Sequence, residues 1–199
     1  MPKQTARTLW AARIKQGKAA GRTAALRQPR SASRKAFSGI VLGIDPSLRA
    51  TGLAALLFKP PAVGRILASE TVRPGKEAGL AECLGAIAGA VQRIIETCQP
   101  EVVAVEESIY VQNLRTAQKL GAARGAAIGQ AALRGLPVHE YPPLRIKQAV
   151  VGYGRASKEQ VSRQMSLLLG LQEHLPFDEA DAAATALCHA MTLGRSEGI

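Results

Sequence analysis

The chain has 199 residues, of which 26 are Lys or Arg and 15 are Asp or Glu, with 47% hydrophobic and 21% charged residues. This length suits one domain of ordinary size plus a tail, with enough apolar residues for a proper core. Three cysteines without zinc-ligand spacing, and no apolar run near the roughly 18 residues of a bilayer span, disfavour secreted disulfide-framed, zinc-finger and membrane-spanning classes.

The first segment is a tail. Residues 1–38 hold ten basic residues and no acid, and the rest of the chain holds 16 basic and 15 acidic residues. Of the net charge of +11, ten units therefore belong to residues 1–38, and the rest of the chain is nearly neutral. Few large apolar groups lie there, so a disordered basic tail is expected, ahead of a folded domain over 39–199. Three readings stay open for it: an arm on a polyanion such as DNA, an organelle transit peptide, or a start codon upstream of the true one. An odd cysteine count with no secretion signal suggests a cytoplasmic protein, unless the tail is a transit peptide.

Order is expected from Gly39. Ile40–Asp45 is an apolar strand ended by the turn signal Asp45-Pro46-Ser47. Gly52–Phe58 and Gly64–Val72 read as the next two strands of a meander. Ala78–Cys98 has helical spacing and stops before Pro100. Val102–Val105 is apolar on both faces, as in a buried parallel strand. A helix over Leu114–Leu133, a strand over Val138–Tyr141 and a helix over Leu144–Val151 follow. Ser157 and Asp178 open the last two helices. The pattern predicts an α/β domain with a mixed five-stranded sheet flanked by helices.

Five acids lie at the ends of these elements. Asp45 closes the first strand, Glu106 and Glu107 follow the buried strand, and Asp178 and Asp181 share one face of the last helix. Carboxylates converging at strand carboxyl ends would need cations to stay ionised together, and hard divalent ions suit oxygen donors. Each acid also has an ordinary reading: a turn residue, a strand end in solvent, a helix cap with an acid three residues on. Alternation places Glu106 and Glu107 on opposite faces and does not choose between them.

The segments Leu42–Ser47 with Thr51-Gly52, Val105-Glu106, Lys119–Gly121 and Ala123–Gly125 resemble the RuvC Holliday-junction resolvase family. So do Tyr141–Pro143, Lys147–Val150, Gly152–Gly154, Lys158–Val161 and Asp178–Ala182. The match runs in order over about 39–193. It implies an RNase H-like fold and a metal-dependent endonuclease that resolves four-way DNA junctions in recombination and repair. The family's catalytic, metal-holding acids fall on Asp45, Glu106, Asp178 and Asp181, with Glu106 chosen over Glu107 by its distance to Lys119. The implied cofactor is Mg²⁺ or Mn²⁺, two ions per active site. The implied partners are the junction, a second copy in a homodimer and the RuvAB branch-migration machinery, with no membrane. Lys147 and Lys158 match family lysines expected on DNA. An aromatic expected to stack on a base falls on Tyr110, with Ile109 competing for the position. Two alternatives stand beside this reading: an RNase H-like nuclease for another nucleic acid, and a non-catalytic nucleic-acid-binding protein.

Two further features stand out. Gly121, Gly125 and Gly129 form a row on one helix face, which suits close approach of either the chain's own sheet or the second copy. His189 reads as structural.

Overall fold

The computed structural model describes residues 36–61, 63–107 and 113–196. Nearly all of the basic tail, and both Ile109 and Tyr110, lie outside the described residues.

Strands β1 (Gly39–Asp45), β2 (Thr51–Phe58) and β3 (Arg65–Val72) form the expected antiparallel meander. Helix α1 (Leu80–Cys98) then leads to β4 (Val102–Glu106), and α2 (Leu114–Leu133) to β5 (Val138–Tyr141). Helices α3 (Pro143–Val151), α4 (Lys158–Leu168) and α5 (Phe177–Ser196) complete the domain. The sheet order is β3-β2-β1-β4-β5, with β4 parallel to both β1 and β5. This is the mixed five-stranded sheet the sequence predicts. Among the described residues, no helix is long and apolar enough to cross a membrane.

Each sheet face has its own core. Leu42, Ile44, Leu53, Ala55, Val103 and Val105 point to one side, under α1 and α2. Val41, Ala54, Leu56, Val102 and Ala104 point to the other, under α3, α4 and α5. The strict alternation follows from the period of two along a strand. On α1, Cys83, Ile87, Ala90, Val91, Ile94 and Ile95 are buried, the stripe that a 3.6-residue period lays on one side. The helix ends where Gln99 takes a left-handed conformation and its N–H donates to the Ile95 carbonyl.

Helix α5 lies unusually close to the sheet, and two glycines make that approach available. A Cβ on Gly43 would stand 1.9 Å from the Ala182 carbonyl oxygen. One on Gly52 would stand 1.9 Å from the Asp178 carbonyl oxygen. The facing side of α5 is correspondingly small, with Ala180, Ala182, Ala183, Ala184 and Ala186 all fully buried.

Phe37, which the sequence places in the tail, packs its ring against Phe58 and His189 at 6.0 and 5.5 Å between centroids. His189 is fully buried, and its Nδ1 lies 2.8 Å from the Tyr141 hydroxyl. Burial, then the neighbouring His139, lowers its pKa to about 4, so it is neutral at physiological pH. Its surroundings are the hydrophobic core, in keeping with a structural role.

Candidate active site

The carboxyl ends of β1 and β4 are adjacent because Ile44 pairs with Val105 in a parallel register. Asp45 and Glu106 are the next residues on each strand. Asp45 shares the parity of Val41 and Gly43, and Glu106 that of Val102 and Ala104, so both side chains turn to the face that α5 covers. The covering helix thereby decides between the two glutamates. Glu107 faces the other way, and its N–H donates to the Tyr141 carbonyl.

The turn after β1 is tied without using the Asp45 carboxylate. Ser47 N–H donates to Thr51 Oγ1 at 3.1 Å, and the Thr51 hydroxyl donates back to the Ser47 carbonyl. Thr51 is fully buried, so this link is sheltered from water. Pro143 starts α3 directly after β5, and one helical turn later Lys147 is delivered over the same strand ends. Ser157 and Gln160 form the expected capping box at the start of α4, at 2.8 and 3.3 Å. Lys158, in the first turn, thereby brings its ammonium to the mouth of the cleft while its side chain stays more than half exposed.

These elements enclose a cleft of about 150 Å³ lined by Asp45, Glu106, Lys147, Lys158 and Asp181, with Pro143, Ile146 and Val161 as its apolar wall. Asp45 has its pKa raised to about 7, first by burial and then by Glu106 and Asp181, with Lys158 opposing. Glu106 is raised by burial and by Asp181, against Lys158 and Lys147. Asp181 is raised by burial, which outweighs the lowering effect of Lys158 and Lys147. Burial alone would lower the Lys158 pKa, but the Asp181, Asp45 and Asp178 carboxylates raise it overall. Lys158 Nζ lies 3.1 Å from Asp181 Oδ2, and Lys147 Nζ donates to the Ala156 carbonyl at 2.9 Å.

Asp178 stands apart. The helix begins at Phe177, which places Asp178 in its first turn, and its carboxylate bonds Arg73 at the end of β3, 2.8 Å away. Next to it, Glu179 accepts from the Ser69 hydroxyl at 2.6 Å. Sequence reasoning missed Arg73, because nothing in local spacing links residues 73 and 178. Only the approach of α5 to β3 brings them together.

The donor set suits a hard divalent cation: three half-buried carboxylates with too little positive charge to keep all of them ionised near neutrality. Among the described residues, no three acidic, histidine or cysteine side chains already stand close enough to ligate a single ion. Lys158 and Lys147 supply the neutralising charge in this arrangement.

The family model for crossover junction endodeoxyribonuclease RuvC matches residues 41–189. The RuvC of Halorhodospira halophila is 45% identical over 150 residues, 75% of this chain and 89% of that protein. The RuvC of Moorella thermoacetica is 43% identical over 152 residues, covering 76% and 90%. Thermus thermophilus RuvC, solved in complex with a Holliday junction substrate, superposes with a TM-score of 0.72 at 37% identity, covering 77% of this chain and 94% of that one. The yeast mitochondrial Holliday junction resolvase shares the fold at 14% identity, with a TM-score of 0.54. The matched span includes both strand ends, the helix-borne lysines and the aspartates of α5, and on this ground the chain belongs to the RuvC family of crossover junction endodeoxyribonucleases.

Proposed function

We propose that this protein resolves four-way DNA junctions by metal-dependent hydrolysis of phosphodiester bonds, with Asp45, Glu106, Asp181 and Asp178 holding the metal. The observation that carries the reading is the Asp45 carboxyl, raised to about 7 in a cleft it shares with Glu106 and Asp181. Such a cluster favours a dication over a proton when one is offered. Two Mg²⁺ ions would activate water and stabilise the leaving oxygen; Mn²⁺ is the natural substitute. Asp45 is central among the acids and lies on the rigid β1, so it suits a shared ligand. Glu106 and the Asp178/Asp181 pair flank it. Lys158 places an ammonium at the mouth of the cleft, where a phosphate oxygen can replace the Asp181 carboxylate as its partner. Lys147, tethered at Ala156, keeps a second positive charge beside Glu106. Tyr110, with Ile109 competing for the position, would stack on a base near the crossover.

Two like-polarity nicks require two active sites, which supports a homodimer. The glycine row on α2 supports it further. Among the described residues, a Cβ on Gly121, Gly125 or Gly129 meets nothing within 4 Å, so the row is not packed on the chain's own sheet. The buried seam of that helix is instead Ala123, Ala127 and Ala131. The protein would act in the cytoplasm beside RuvAB, with no disulfide among its three cysteines. The basic tail would lie on DNA.

A gel assay tests the reading. Synthetic four-way junction, linear duplex and RNA–DNA hybrid are each incubated with Mg²⁺ or with excess chelator. Paired nicks in the junction alone, only with Mg²⁺, are expected. Cleavage in chelator, or equal cutting of duplex, would overturn it.

A further inference from the structure

A second cleft, of about 560 Å³, lies on the flank of the catalytic one, between the end of β3, α4 and the segment leading into α5. Its floor is Leu175, Pro176 and Phe177, and Arg73, Arg163 and His174 stand around it. The floor is held rigidly. Ser162 donates to the Leu175 carbonyl at 2.7 Å, and Leu175 N–H donates to Ser166 Oγ at 3.0 Å, both bonds being buried. Leu175 is thereby docked on α4, and the chain turns at Pro176 into the helix. Phe177 is left 47% exposed on a segment that cannot fold its ring inward. A fixed aromatic surface loses little freedom when a flat ligand settles on it.

The charges say which flat ligand. Arg163 forms no ion pair among the described residues. Arg73 is 63% exposed and touches Asp178 with one nitrogen only, so further donors remain for an anion. Glu159 also borders the cleft; its carboxylate accepts from Ser157 and from its own backbone N–H, which lower its pKa and keep it ionised, so the place for an anion is the guanidinium edge away from it. An apolar ring surface edged by guanidinium groups matches a nucleotide, with its base on the ring and its phosphate at the rim. The two clefts share no lining residue, but the chain ties them together: Glu159 follows Lys158, Phe177 precedes Asp178, and Arg73 bonds Asp178.

Resting on the proposed function, we infer that this cleft receives one nucleotide of the strand being cut, its base against Phe177 and its phosphate at Arg163 and Arg73. The cleft would thus hold an unstacked nucleotide beside the scissile phosphate. Arg73 would serve two anions, the Asp178 carboxylate and a DNA phosphate.

The test uses the full chain in chelator, so that nothing is cut, with 2-aminopurine placed at successive positions on either side of the expected cleavage point. Wild-type protein should change the fluorescence at one flanking position. Phe177→Ala should abolish that change and weaken binding about tenfold, the range of one lost base stack. Phe177→Tyr should restore both. Arg163→Gln should lower the slope of log affinity against log salt by about 0.9. Wild-type affinity, slope and fluorescence in Phe177→Ala and Arg163→Gln would overturn the inference. So would equal losses in Phe177→Ala and Phe177→Tyr, which would indicate packing rather than stacking. The same affinities are measured on single-stranded DNA. A wild-type protein that cuts no junction thus sinks the functional reading alone, while the variants still decide the cleft.

Discussion

Lys158 Nζ lies 3.1 Å from Asp181 Oδ2, joining the first turn of α4 to the last helix across the mouth of the acidic cleft. The side chains are 57% and 14% exposed, so one partner reaches solvent while the other faces inward. Such a pair can exchange partners when a phosphate arrives. We expect Lys158→Ala to slow cleavage by one to two orders of magnitude while junction affinity changes far less, the scale for losing one preorganised charge at the transition state. Lys158→Arg should recover only part of the rate, since a planar fork replaces a compact ammonium. Single-turnover rates alongside equilibrium binding give both numbers. Unchanged cleavage by Lys158→Ala would reduce the lysine to a solvated helix start.

Asp45→Asn, Glu106→Gln and Asp181→Asn should each lower cleavage by at least a hundredfold, as removal of a ligand worth several kcal/mol requires. Junction binding should persist, because the grip comes from basic groups elsewhere. Asp178→Asn should be milder, since Asp178 is held by Arg73 outside the cleft. Glu107→Gln should cleave normally. A gel assay over time with each variant checks the set, and robust cutting by Asp45→Asn would remove the site.

The raised Asp45 pKa predicts the pH dependence of stability in chelator. The folded protein holds this proton up to about 7, whereas the unfolded chain releases it near 3.8. Over that window the native state binds more protons, so stability falls as pH rises. The effect is a few kcal/mol in scale, at about 1.4 kcal/mol per pKa unit. Thermal melts from pH 4 to 8 should show a decline in wild type that is shallower in Asp45→Asn. Adding Mg²⁺ near pH 7.5 should raise the wild-type melting temperature more than that of the variant. Parallel melts would mean that Asp45 ionises freely.

Gly43→Ala probes the seating of α5. Its Cβ would stand 1.9 Å from a backbone oxygen, which cannot swing aside as a side chain can. We expect a loss of about 1–3 kcal/mol in stability, the usual cost of overpacking. Cleavage should fall further than stability does, because α5 also carries Asp181 and Asp178. Melting temperature and activity below the melting transition separate the two effects. Full activity would show that the helix can shift without disturbing the acids.

Gly125→Leu tests the dimer. With open space around Gly125 among the described residues, the variant should fold, and leucine favours a helix over glycine by close to 1 kcal/mol. Sedimentation should report monomer, and the junction assay should show loss of paired nicks. A Gly125→Leu protein that remains dimeric and fully active would remove this face from the interface.

The meander, the alternating helices and strands, and the mixed sheet were all legible in the chain, because strand and helix periods and turn residues act locally. The capping box at Ser157 and the Asp45-Pro46-Ser47 turn belong to the same class. Apolar residues on both faces of β4 also predicted its buried, parallel place. What needed the tertiary structure was everything that depends on which element covers which face. Alternation left Glu106 and Glu107 equivalent until α5 lay on one side of the sheet. The sequence allowed the glycine row of α2 two partners, and only the packed helix turned it away from its own sheet. Arg73 and Asp178 are 105 residues apart, and their bond exists because Gly43 and Gly52 let a helix approach a sheet at backbone distance. Local chemistry specified the elements and the acids; long-range packing set their burial, and burial decides which carboxylates share a charge they cannot all carry.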